Sequence, residues 1–168
     1  IFSFANAKKR KVAPSDKINL GLIGCGALGK SNLKECVTHP NVEVTAACDV
    51  WQQRLHEVVS LHKNTCTAYT DFRAMLQHPG LDAVIIATPP HWHALMAIEA
   101  ARAGVHFYLE KPMTLHLAES LAVRNAVRKH KLICQIGTQI HASEHYRRMV
   151  EFVRSGNLGT IGAVRTFC

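Results

Sequence analysis

Three stretches of the chain gather residue types that do chemistry. In Glu110-Lys111-Pro112 a lysine lies at the expected end of a strand. Facing a cleft, such an ammonium donates to a hydroxyl or stabilises a developing alkoxide. Pro112 holds Lys111 extended and makes their shared peptide bond one that can be cis. Out of context the segment reads as a surface Glu-Lys pair before a helix, so its setting decides. In Thr88-Pro89-Pro90-His91-Trp92-His93 two prolines stiffen a loop that can press against a flat ring. His93 falls in the first turn of the next helix. Taken alone, each histidine is more often a packing or capping residue than a functional one.

The third stretch is Gly24-Cys25-Gly26-Ala27-Leu28-Gly29, a G-x-G-x-x-G that follows an apolar run and opens a helical one. Gly24 permits a sharp turn, Gly26 a close backbone approach to a pyrophosphate, and Gly29 tight packing of helix on strand. Unpaired amides and the helix dipole favour negative charge there. Asp49 lies 20 residues beyond Gly29, at the end of a second strand, where an acid hydrogen-bonds an adenosine ribose. Its carboxylate would repel a 2′-phosphate, so NAD is expected over NADP. Lys30 or Arg54 would soften that preference by reaching the ribose.

These residues need a scaffold that delivers them to one edge, and the alternation of segments supplies it. Strands are expected over 18–23, 42–48, 83–87, 105–109 and 132–136. Helices are expected over 27–38, 51–62, 71–77, 91–103 and 115–129, with Thr67-Ala68-Tyr69 as a short link. The run Ala83-Val84-Ile85-Ile86-Ala87 is continuously apolar, as in a strand buried on both faces of a parallel sheet. The pattern is that of an α/β fold, a Rossmann doubly wound parallel sheet. Beyond it, Ser143 is placed to cap a helix through Arg154, and 161–167 reads as a strand that opens a second domain. The expected division is a leading arm over 1–16, a dinucleotide-binding domain over 17–158, and the start of a substrate domain over 159–168.

Composition narrows the function classes. The 168 residues suffice for one domain with a core, and no apolar run approaches the roughly 18 residues that span a membrane. The net charge of +8 raises the question of nucleic acid, but the densest basic run, Lys8-Lys9-Arg10-Lys11, precedes the first strand and reads as a solvated arm. A basic chain equally suits an anionic dinucleotide. None of the six cysteines forms a C-x-x-C pair or has zinc-ligand spacing, so no metal is expected. The chain opens on Ile1 rather than Met, and upstream sequence is expected to be missing. Ile1–Ala7 ends in Ala-x-Ala, as a secretory leader does, but reads equally well as a plain leading arm.

The chain resembles the glucose-fructose oxidoreductase, inositol 2-dehydrogenase and rhizopine-catabolism (Gfo/Idh/MocA) family from about Lys17 to Phe167. The resemblance rests on GLIGCGALG, on Asp49, on YTDFRAML, and on DAVIIATPPHWHALMAIEAARAGVHFYLEKPMTL. It implies a Rossmann domain followed by a larger α/β domain that contacts substrate and mediates homo-oligomerisation. It also implies oxidation or reduction of a hydroxyl on a sugar, cyclitol or related polyol. Lys111 matches the family's catalytic lysine, Glu110 and Pro112 the residues that orient it, and His93 the histidine on the cofactor side of the cleft, so Lys111 and His93 are the expected catalytic residues. The expected cofactor contacts are therefore the Gly24, Cys25, Gly26, Ala27, Leu28 and Gly29 turn, Asp49, Thr88 and Pro89, with His93, Glu110, Lys111 and Pro112. The family's second-domain Asp and His, in a D-x-x-x-H arrangement, have no counterpart here, so this stretch alone is expected to bind a dinucleotide and turn over little. Gln139-Ile140-His141 departs from the arginine common near that point. Some exported members carry a twin-arginine leader, so export and cytoplasm both stand open.

Three readings follow. The first is an NAD-dependent dehydrogenase acting on a carbohydrate hydroxyl. The second is an NAD-dependent glycosidase of the same family, and the third a non-catalytic NAD-binding sensor or assembly partner, against which Lys111 argues. Neither nucleic acid nor membrane is an expected partner.

Overall fold

The computed structural model describes residues 16–139 and 143–166. Six strands alternate with helices: β1 Ile18–Ile23, α1 Ala27–Cys36, β2 Val42–Cys48, α2 Gln52–Leu61, β3 Thr67–Tyr69, α3 Phe72–Met75, β4 Ala83–Ile86, α4 Pro90–Arg102, β5 His106–Glu110, α5 Leu117–His130, β6 Cys134–Gly137 and α6 Glu144–Arg154. The strands form one sheet in the order β3-β2-β1-β4-β5-β6, and every pairing is parallel. This is the doubly wound α/β architecture that the alternation predicts. Its order reverses between β1 and β4, which opens a crevice at the strands' C-terminal ends.

The period-2 geometry of β4 explains its unbroken apolar sequence. Val84 and Ile86 join one buried cluster, with residues of α3, α4 and α5, while Ile85 joins another with Leu33 of α1 and Leu55 of α2. Helices thus cover both faces, and each strand residue finds an apolar partner whichever way it points. All the described cysteines are free, and Cys25, Cys48 and Cys66 are buried as small hydrophobes. Helix ends obey local chemistry. Pro90 takes the first turn of α4, and Gly104 follows its end with φ 77°. Among the described residues no helix is long and apolar enough to cross a membrane.

Several expectations need correction. Thr67–Tyr69 is a strand rather than a link, because its backbone pairs with Ala46–Cys48 at the sheet edge. A three-residue strand carries too little sequence pattern to announce itself. The helix expected over 71–77 shrinks to the single turn of α3, capped by the Asp71 carboxylate on the Arg73 N–H at 2.9 Å. The leading arm over 1–16 lies outside the described residues but for Asp16, and so do Ile140 and His141.

The chain divides into two units, one through Gly137 and one from Thr138. In the second, α6 forms as expected after Ser143, but the serine side chain makes no capping hydrogen bond. None of its residues is buried, although Tyr146, Met149, Val150 and Val153 share a face. Residues 161–166 form no strand, contrary to the expectation for 161–167, whose last residue is not described. A strand exists only as a partner in a ladder, and among the described residues of the second unit none is a strand.

Candidate dinucleotide and lysine site

Parallel strands bring the ends of β1, β2, β4 and β5 to one edge of the sheet, and every predicted site residue lies there. After β1, the chain turns at Gly24 with φ 95°. A Cβ on Gly24 would stand 2.7 Å from the Ala87 carbonyl oxygen, and one on Gly29 only 2.0 Å from the Gly24 oxygen. Both positions therefore exclude any side chain. Gly26 is the N-cap of α1, with no side-chain cap and no acid in the first turn. The turn leaves its amides to an anion, and Ala27 and Leu28 are exposed beside them.

Asp49 is joined to this turn directly. Its Oδ2 accepts the Cys25 N–H at 2.7 Å and its Oδ1 the Trp51 N–H at 2.8 Å. The two carboxylate oxygens retain further lone pairs for ribose hydroxyls. Burial, reinforced by the Asp49 charge, pushes the Cys25 and Cys48 thiols up to about 12, so neither is a nucleophile at neutral pH. Lys30 is engaged with Glu57 at 2.5 Å. Arg54 lies with its guanidinium 4.2 Å from the Trp51 ring centre, and its Nη1 is 3.8 Å from where a Gly26 Cβ would be. Of the two cations that could temper Asp49, Arg54 is the one held beside the glycine turn.

The ends of β4 and β5 are built differently. The Thr88 hydroxyl donates to the Met96 sulfur at 3.4 Å, and Pro89 is the N-cap of α4. His93 is 1% exposed, with Nδ1 2.7 Å from the Pro112 carbonyl oxygen and Nε2 2.9 Å from that of Thr88. Both partners only accept, so a neutral ring donates to one at a time and a doubly protonated ring to both. His93 thereby ties the two loops together instead of presenting its ring at the surface. The Lys111–Pro112 peptide bond is cis, and the Lys111 side chain is exposed.

Glu110, 2% exposed, lies beneath that lysine. Its Oε2 accepts the Lys111 N–H at 3.0 Å, and its Oε1 accepts from the Asn32 amide at 2.8 Å and the Tyr108 hydroxyl at 3.3 Å. Burial raises the Tyr108 phenol, and the Glu110 charge adds to it. A Cβ on Gly137 would stand 2.5 Å from the Tyr108 hydroxyl and 3.0 Å from Oε1, so a side chain there would push the phenol aside. Asn32, Tyr108 and Gly137 escape the sequence reading. Asn32 and Glu110 are 78 positions apart, and nothing local pairs an exposed-looking helical Asn with that acid.

No group of three or more His, Cys, Asp or Glu among the described residues is disposed to hold a metal. A hollow of about 350 Å³ between α2 and β3, lined by Leu55, Val59 and Tyr69 among others, includes none of the predicted site residues.

Residues 18–138 match the Gfo/Idh/MocA family, described as an oxidoreductase family with an NAD-binding Rossmann fold. The uncharacterized oxidoreductase YrbE of Bacillus subtilis is 31% identical over 144 residues, which cover 86% of this chain and 42% of that protein. A glycosyl hydrolase family 109 protein of Shewanella baltica is 29% identical over 159 residues, covering 89% of this chain and 35% of that one. Among solved structures, scyllo-inositol dehydrogenase from Lactobacillus casei with bound NAD(H) and scyllo-inositol superposes with a TM-score of 0.78 at 28% identity. That match covers 86% of this chain and 43% of the other. The chain thus spans less than half the length of these relatives.

Proposed function

The chain belongs to the Gfo/Idh/MocA oxidoreductase family and is its NAD-binding Rossmann domain, and from that premise we propose that the whole protein is a dehydrogenase for a hydroxyl of a sugar, cyclitol or related polyol. The observation that carries this reading is the convergence of an open glycine turn, Asp49 and an exposed Lys111 on one sheet edge, with the Lys111 backbone anchored by the buried Glu110. A cation that only balanced surface charge would need no such anchorage.

The residues fit the cofactor. The α1 amides beyond Gly24 and Gly26 would hold the pyrophosphate, and Asp49 the adenosine ribose hydroxyls. Thr88 and Pro89 would wall the nicotinamide side. A nicotinamide held there supplies hydride chemistry at its C4 position. Lys111 Nζ would donate to the substrate hydroxyl and stabilise negative charge on that oxygen as its proton passes to the second-domain histidine that the family resemblance implies. Glu110 and His93 would keep the lysine in place, so that positioning supplies part of the rate. The substrate-choosing surface and an oligomer contact are assigned to the second domain, whose start we place at 159–168.

The test is the full-length enzyme with a panel of sugars and cyclitols. Production of NADH that is abolished in Lys111→Ala supports the reading. Turnover undiminished in that variant overturns it. The likeness to the glycosyl hydrolase family 109 protein favours a second reading, cleavage of a glycosidic bond with no net NADH. Free reducing sugar released from a glycoside without NADH accumulation would select it. A binder without chemistry remains the third, and Lys111 is the residue against it.

A further inference from the structure

The buried Glu110 carboxylate has no cation within ion-pair distance among the described residues. Burying a carboxylate is costly unless hydrogen-bond donors surround it. Here three do so: the Lys111 N–H from its own strand end, the Tyr108 hydroxyl from the same strand, and the Asn32 amide from α1. The Asn32 contact, at 2.8 Å, is shorter than the 3.3 Å of Tyr108. Asn32 is also the one side chain among these donors that comes from another element. It lies one turn along α1 from Gly29, on the helix whose N-terminus carries the glycine turn.

The arrangement has a direction. Asn32 and Tyr108 share Oε1, which leaves Oε2 turned to the Lys111 N–H. Gly137 leaves the room for this, since any Cβ there would crowd both the phenol and Oε1. A carboxylate held at one oxygen by only a long contact is free to rotate about its last torsion, which is broad for glutamate. Its second oxygen would then leave the lysine's amide.

We propose that Asn32 is a positioning residue for Lys111: by fixing the rotation of the Glu110 carboxylate, it sets the backbone from which the lysine reaches the substrate. The role rests on the assignment of Lys111 above, and it links the helix under the phosphates to the residue that handles the proton. Asn32 contacts neither substrate nor cofactor in this account.

The experiment is amide hydrogen exchange on this chain and on Asn32→Leu and Asn32→His, with NADH affinity measured alongside. The Lys111 amide is expected to be protected in the parent chain and to lose protection about tenfold or more in Asn32→Leu, with Phe107 and Leu109 unchanged. Asn32→His, which can still donate, restores it, and NADH affinity stays within about threefold throughout. Unchanged Lys111 protection in Asn32→Leu overturns the proposal. So does a loss shared equally by all of β5, which would mark a merely structural role. If Asn32→Leu does not fold, Asn32→Ser, whose hydroxyl falls short of Glu110, is read in the same way. Turnover of the full-length Lys111→Ala variant is a separate result: it can refute the catalytic reading while the Asn32–Glu110–Lys111 linkage stands.

Discussion

The turn after β1 and the turn after β5 end at the same edge of one sheet, yet opposite means shape them. The first is made by removing side chains. Gly24 and Gly29 pack backbone against backbone so closely that a single methyl would stand 2.7 and 2.0 Å from carbonyl oxygens. The second is made by burying polar side chains. His93 and Glu110, 1% and 2% exposed, hold the backbone on either side of Lys111 through the Pro112 carbonyl and the Lys111 N–H. The difference matches the task proposed for each end. A pyrophosphate is held by bare amides that any glycine turn can present. An ammonium that must meet one hydroxyl needs its backbone fixed from two sides.

The contrast can be broken from either end, and the largest effect is expected at the glycines. Gly29→Ala forces its methyl onto the Gly24 carbonyl and should cost about 3 kcal/mol of stability with loss of NADH binding, seen in denaturant melts and fluorescence titration. Next comes His93→Ala, which removes the buried ring that ties the Thr88 and Pro112 carbonyls together and leaves a carbonyl without its donor. It should cost about 2 kcal/mol in a melt while NADH binding survives. Gly137→Ala crowds the Tyr108 hydroxyl and Glu110 rather than backbone, and a side chain can yield. About 1 kcal/mol is expected, with exchange changes confined to Tyr108–Lys111.

The last effect concerns pH. Burial raises the Cys25 and Cys48 thiols from 9.0 to about 12 and Cys66 and Cys134 to about 11. Groups raised in the folded state bind more protons folded than unfolded. Their contribution is therefore complete below pH 9 and lost progressively as the pH climbs towards 11 and 12. Tyr108, also raised, adds in the same direction. Melting temperatures should fall from about pH 9 upward, and Cys66→Ala should shallow that decline.

The same contrast explains what the sequence disclosed. The glycine turn is legible because its constraint is local: three glycines at fixed spacing after an apolar run, then Asp49 at the next strand's end. The parallel α/β sheet was legible from the alternation of runs, since both-face burial imprints itself on every residue of Ala83–Ile86. The Lys111 anchorage was half legible. Glu110 and His93 stood out by type, but neither burial nor partner could be read, because Asn32, Tyr108 and Gly137 meet Glu110 only through the fold. The short β3 hid for a related reason, as its identity lies in pairing with β2. Over 161–166 the error ran the other way: an apolar, β-branched run looked like a strand, but it is not one among the described residues.

The central claim is that the β1 turn and Asp49 form a site for NAD. Its most direct test is titration of the chain with NADH and with NADPH, repeated on Asp49→Ala. The account predicts NADH binding that weakens about tenfold or more in the variant, and weaker binding of NADPH by the parent. NADPH binding as tight as NADH, or an Asp49→Ala variant that binds NADH undiminished, would contradict it, and Arg54, beside Gly26 on the Trp51 ring, would then be the residue to change.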